Sequence, residues 1–125
     1  MRKIFYAIGA MSGTSADGID ISLIRTDGLN YFRQIESTSI SFDSFLKKEI
    51  LSFSREFQNK KNHFKLLAIE EMITEKYIFA IKQILAKSNF KSSRISVLGL
   101  HGQTVFHDPK NKISLQLINA SKIAK

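Results

Sequence analysis

The stretch Ile4-Phe5-Tyr6-Ala7-Ile8-Gly9-Ala10-Met11-Ser12-Gly13-Thr14-Ser15-Ala16-Asp17-Gly18-Ile19-Asp20-Ile21-Ser22-Leu23 decides how this chain is read. Residues 4–9 are near-continuously apolar, the pattern of a strand covered on both faces. Residues 9–18 are rich in Gly, Ser and Thr and read as a loop. From Ile19 the pattern becomes strict alternation: Ile19, Ile21 and Leu23 against Asp20 and Ser22, the period of a half-buried strand. Next comes Thr26-Asp27-Gly28-Leu29-Asn30, a turn signal with Asp-Gly inside it. Residues 31–40 then complete a three-stranded meander.

Working outward, Asp43 caps a predicted helix over residues 44–57. Residues 59–62 form a polar, basic break. Residues 63–87 are the longest periodic segment, with Leu66, Ile69, Ile73, Tyr77, Ile81 and Ile84 on one stripe at helical spacing. Glu71, Glu75 and Lys82 give that helix a polar side. After a loop at 88–93, residues 95–100 read as a second buried strand. Residues 101–109 read as a loop or short strand, and 113–118 as an alternating strand. Asn119 or Ser121 can cap a further helix that is begun and not completed by Lys125. Three hairpin-connected strands, then helices and further strands, predict an α/β layer fold.

Composition bounds the function classes. The chain has 125 residues, one domain at most or a piece of one. Apolar residues at 43% and charged residues at 24% exclude a disordered chain. Zero Cys removes disulfides, thiolate metal sites and cysteine nucleophiles, and fits a reducing compartment. No apolar run approaches the ~20 residues needed to cross a membrane. Met1-Arg2-Lys3 and the apolar residues 4–11, with Ser15-Ala16 as a cleavage site, resemble a short signal peptide. Cleavage there would remove the first strand and most of the loop, so the segment reads as a strand and the protein as cytoplasmic. The net charge of +8 is uneven: residues 1–41 carry four charges of each sign, and the excess lies beyond them. Those lysines are scattered through helical pattern, a solvated face and not a nucleic-acid footprint.

Two loops carry chemistry. In the first, Gly9 to Asp20, a tight turn can aim several backbone N–H groups at one anion. Thr14 and Ser15 add hydroxyl donors. Asp17 and Asp20 are suited to holding waters of a magnesium ion that bridges phosphates. The P-loop, dinucleotide and nucleophile-elbow patterns are all absent. A plain hairpin turn explains the same composition equally well. The second loop runs from Gly99 to Pro109. Gly102 permits close approach, and His101, Gln103 and Thr104 bring a ring, an amide and a hydroxyl suited to a polyol. His101, His107 and Asp108 lack the spacing of a metal site. Glu70 and Glu71 are paired carboxylates that read best as a solvated helix face.

Together these loops resemble a known family. Gly9 and Met11 to Asp20 match the signature Gly-x-Met-Ser-Gly-Thr-Ser-x-Asp-Gly-x-Asp of anhydro-N-acetylmuramic acid kinases. His101-Gly-Gln-Thr-Val-Phe-His107-Asp-Pro109 resembles that family's second block, His-Gly-Gln-Thr-x-x-His-x-Pro. Leu115-Gln116-Leu117 resembles a third, followed here by Ile118-Asn119 where the family often has Gly-Asp. The resemblance implies a partial first lobe of the actin, sugar-kinase and Hsp70 type (ribonuclease H-like), with residues 1–125 as an N-terminal lobe fragment and the second lobe absent. It implies ATP with Mg2+ as cofactors and an anhydro amino sugar as substrate. Gly13, Thr14, Ser15, Ala16, Asp17, Gly18, Ile19 and Asp20 would form the ATP phosphate loop. His101, Gln103 and Thr104 would line the sugar side. The family's catalytic aspartate lies beyond Lys125, so the isolated chain is expected to be inactive. The implied partners are the missing lobe or a second copy, with neither nucleic acid nor membrane. The alternative is a non-enzymatic remnant lobe with weak nucleotide or polyanion binding.

Overall fold

A computed structural model describes residues 3–13, 15–56, 63–108 and 113–124, with side chains described for 3–13, 15–53, 66–103 and 118–124. Three strands open the chain: β1 (Phe5–Met11), β2 (Gly18–Thr26) and β3 (Phe32–Ser41). Helices α1 (Ser44–Glu56) and α2 (His63–Ser88) follow, then a 3-10 turn at Ser92–Arg94. The remaining elements are β4 (Ile95–His101), β5 (Gln103–Asp108), β6 (Ile113–Leu117) and the short α3 (Ala120–Ala124).

The main sheet has strand order β3-β2-β1-β4. The first three strands form the expected antiparallel meander. β4 pairs with β1 in parallel, which requires the crossover that α1 and α2 supply. β5 and β6 form a separate antiparallel pair.

Local chemistry accounts for the boundaries. Between β2 and β3, Asp27 Oδ1 accepts the N–H groups of Leu29, Asn30 and Tyr31 at 2.9–3.1 Å. Gly28 sits there at φ 78°, a conformation that a Cβ penalises. Asp43 caps α1 by accepting the Leu46 N–H at 2.8 Å. At the far end of α2, Asn89 takes φ 58° while the Phe90 N–H returns to the Leu85 carbonyl at 2.9 Å. That is a left-handed C-terminal cap with Asn in place of Gly.

The core lies between one face of the sheet and the two helices. Ile8, Ile19, Ile21 and Leu23 meet Leu46, Ile50 and Phe53 of α1 and Ile69, Ile73, Tyr77 and Ile84 of α2. The stripe expected on α2 is therefore the buried one, although Leu66 and Ile81 are only half-buried. The near-continuous apolar patterns of β1 and β4 predict cover on both faces, but the described residues cover only one. Met11 and Val97 are each 50% exposed on the open face, beside Gly9 and Gly99, which pair with each other across β1 and β4.

Candidate functional site

The parallel pairing of β1 and β4 creates the site. Met11, the last residue of β1, lies opposite His101, the last residue of β4. Both strands therefore release their loops at the same end of the sheet, where open α/β sheets form ligand crevices. β2 begins at that end with Gly18, and Ser41, which ends β3, pairs with it. A cleft of about 330 Å³ opens there. Its lining includes Gly13, Ser15, Asp17 and Asp20, together with Ser39 and Ser41 of β3.

The first loop is shorter than expected. β1 runs on to Met11 and β2 starts at Gly18, so Gly18, Ile19 and Asp20 are strand residues at the cleft edge. Ala16 is fully buried beneath the loop at φ 57° and donates its N–H to the Gly13 carbonyl at 3.3 Å. A left-handed residue without Gly marks a turn fixed by its surroundings. The Asp17 carbonyl accepts the Phe42 N–H at 2.9 Å, which anchors the loop to the start of the helical layer. Thr14 lies outside the described residues.

Two side chains tie the loops together. Gln103 is fully buried, and its Nε2 donates to the Gly13 carbonyl at 2.7 Å. Tyr77, equally buried, donates its O–H to the His101 carbonyl at 2.6 Å. Its oxygen lies 2.8 Å from Ser12 Oγ. A phenol has one proton, already directed at His101, so the Ser12 hydroxyl donates to Tyr77. Burial pushes the Tyr77 phenol further above its ordinary range, and the Ser12 hydrogen bond opposes that shift.

The carboxylates of the loop are engaged. Lys47 Nζ from α1 lies 2.5 Å from Asp17 Oδ1. The Lys47 hydrogen bond, followed by one from Ser15, holds the Asp17 carboxyl below the ordinary carboxylate range. Asp20 Oδ1 accepts the Ser39 hydroxyl at 2.7 Å. Among the described residues no cluster of three His, Cys, Asp or Glu is placed to hold a metal. Asp17 and Asp20 lining one cleft do fit the way magnesium is usually held, through water and one or two carboxylates, with the substrate phosphates completing its shell.

His101 is exposed at the end of β4, beside Met11, and not satisfied within the core. The backbones of Thr104 and His107 belong to β5, but their side chains lie outside the described set. The paired carboxylates Glu70 and Glu71 lie on α2, away from the cleft; Glu71, together with Glu75, holds Lys122 at the junction of α2 and α3. Sequence reasoning placed Tyr77 in the core stripe and gave no role to Lys47, Ser39 or Ser41. The helical stripe signals that Tyr77 is buried, but only the fold shows what its hydroxyl reaches.

Fold and site together define an α/β lobe with a polar, hydroxyl-rich loop cluster at the carboxyl ends of two parallel strands. The chain belongs to the anhydro-N-acetylmuramic acid kinase family: residues 5–125 match the family model of that name. A relative named anhydro-N-acetylmuramic acid kinase from Rhizorhabdus wittichii is 33% identical, over 95% of this chain and 33% of that protein. One of the same name from Rhizobium johnstonii is 33% identical, over 100% of this chain and 35% of that protein. Another from Pelagibacter ubique is 31% identical, over 94% of this chain and 32% of that protein. The chain thus spans about a third of the length of the curated relatives it matches. Among the described residues no helix is long and apolar enough to cross a membrane.

Proposed function

We propose that residues 1–125 form the phosphate-binding part of the first lobe of an ATP-dependent anhydro-N-acetylmuramic acid kinase with a ribonuclease H-like fold. In the reaction, water attacks the anomeric carbon and the internal 1,6-anhydro bond opens. O6 takes the terminal phosphoryl group of ATP, giving N-acetylmuramic acid 6-phosphate and ADP. This is a step of cell-wall recycling in the bacterial cytoplasm.

The observation that carries this reading is the register that sets Met11 beside His101. It brings two loops 90 residues apart to the same end of the sheet, tied by the Gln103–Gly13 hydrogen bond. Gly13 and Ser15, with Thr14 between them, offer backbone amides and hydroxyls to the phosphates, and Ala16 and Ile19 brace the turn from below. Asp17, Gly18 and Asp20 edge the cleft, and the two carboxylates would hold waters of the Mg2+ carried by ATP. That ion would supply charge neutralisation on the phosphates. His101, Gln103 and Thr104 would belong to the sugar side, and Gln103 sets their loop against the first. Positioning and charge stabilisation are the contributions such a lobe makes to phosphoryl transfer.

Water activation belongs to an aspartate outside these residues. The reading is tested by adding magnesium, ATP and the anhydro sugar and detecting the 6-phosphate by mass. The 125-residue chain alone is expected to give no product, and the longer protein carrying it is expected to turn over. Product from the chain alone would overturn the assignment of the aspartate. No product from the longer protein would overturn the kinase reading. A lobe that binds nucleotide or polyanion without turnover is the second reading, favoured by Asp17 being held by Lys47.

A further inference from the structure

Ser12 is the first residue past β1, and His101 is the last residue of β4. Tyr77 reaches both from α2, so the hydrogen bonds run in one direction: the Ser12 O–H to the Tyr77 oxygen, and the Tyr77 O–H to the His101 carbonyl. Donors in series polarise one another, so breaking either bond weakens its neighbour. The ring that carries the hydroxyl is fully buried in the core with Ile73, Ala80 and Ile84, so it cannot follow a loop that moves. A shift of the first loop therefore leaves a buried hydroxyl without a donor, which is costly and disfavours intermediate positions. Gln103 forms a second, parallel tie to the same loop.

We propose that Tyr77 is a positioning residue that couples the occupancy of the two loops, so that a ligand held by one tightens binding at the other. The identity of the ligands, phosphates at residues 13–20 and sugar at His101, Gln103 and Thr104, rests on the function proposed above. The coupling itself rests on the hydrogen bonds alone. By linkage the tightening is mutual: the sugar raises nucleotide affinity by the same factor as the nucleotide raises sugar affinity.

The test uses the longer protein carrying these residues, with Tyr77→Phe, Ser12→Ala and, as a distant control, Tyr6→Phe. Tyr6 packs its ring against Phe90 at 5.0 Å, away from the loops. Calorimetry measures the affinity for a non-hydrolysable ATP analogue with and without the anhydro sugar. The ratio of the two affinities is the readout. With each variant fully folded at the assay temperature, general destabilisation does not move it. Tyr77→Phe is expected to reduce the ratio on the order of 5- to 10-fold, the worth of one to two neutral hydrogen bonds. Ser12→Ala should reduce it in the same direction, and Tyr6→Phe should leave it unchanged. A wild-type ratio of one with both ligands binding, or a ratio preserved in Tyr77→Phe, overturns the coupling.

If neither ligand binds, the functional reading fails by itself. The coupling is then decided by amide hydrogen exchange on the ligand-free protein. Tyr77→Phe should speed exchange at both Gly13 and Gly102 by a similar factor, several-fold. Acceleration at one loop only, or at neither, overturns it.

Discussion

Gly18 stands inside the motif that carries the family resemblance, and its neighbours give it a structural task that can be measured. A Cβ at this position would lie 2.2 Å from the Ile40 carbonyl oxygen and 2.9 Å from Ser41 Cα. Both neighbours are backbone of β3, so neither can swing aside. The oxygen would have to retreat by about 0.8 Å, from 2.2 to 3.0 Å, merely to reach the closest approach that real side chains show. That retreat pulls β3 from its pairing with Gly18 and strains the Phe42 N–H bond to the Asp17 carbonyl next door. Overpacking of this kind costs about 1–3 kcal/mol, and the strained hydrogen bond adds on the order of 1 kcal/mol. For a domain of this size each kcal/mol moves the midpoint by roughly 3–5 °C. Gly18→Ala should therefore lower Tm by roughly 6–20 °C in a thermal scan followed by circular dichroism. Gly13→Ala is the matched control, because a Cβ there meets nothing within 4 Å. It should leave Tm within about 2 °C, as surface changes usually do. Equal shifts for the two glycines, or a larger one for Gly13, would refute the packing argument.

Asp17 is held below the ordinary carboxylate range mainly by Lys47. Lys47→Met should raise its pKa, measured by carboxyl carbon NMR during a pH titration; an unchanged midpoint would show that Ser15 alone holds it. The sign for stability follows from a depressed folded-state pKa. The Asp17–Lys47 contribution is present above the unfolded-state value and lost as pH falls through the folded one, and Lys47→Met should remove that acid-side dependence. Ile73 is fully buried between α2 and the sheet, so Ile73→Ala should destabilise by about 2–5 kcal/mol in denaturant unfolding. Lys122→Ala removes a pair of exposed contacts to Glu71 and Glu75 and should leave Tm nearly unchanged. A large drop there would mean that α3 contributes more to the fold than its ion pairs suggest.

What the sequence made legible was local. The alternation of Ile19, Ile21 and Leu23, the Asp27-Gly28 turn and the Asp43 cap each act within a few residues, so pattern alone placed β2, the hairpin and α1. Both motif loops were visible for the same reason. Their meeting was not, because it depends on the parallel register of β1 against β4, a contact between segments 90 residues apart. The spacing of α2 marked Tyr77 as buried, yet periodicity counts a tyrosine as apolar area and is blind to where its hydroxyl ends. Lys47 was equally hidden. A lysine one turn into a helix reads as solvated until the fold brings Asp17 to 2.5 Å from it. The apolar run of β1 predicted two covered faces, and the structure leaves Met11 half exposed. Hydrophobicity records that a face is suited to burial, not which segment covers it.

The charges around the cleft argue for what this lobe can and cannot do. A general base needs a carboxyl whose pKa is raised toward the working pH, usually by desolvation or a neighbouring like charge. Asp17 has the opposite environment, a lysine and a hydroxyl that stabilise its charged form, so it is a poor proton acceptor at neutral pH. Asp20 accepts a hydroxyl proton donor in Ser39 and lines the same cleft. Asp17 is thus arranged to remain charged, which suits holding the hydration shell of a cation and not abstracting a proton from water. The buried polar contacts point the same way: Gln103 to Gly13, and Ser12 through Tyr77 to His101, fix where the two loops sit. A lobe built in this manner contributes position and electrostatic preorganisation.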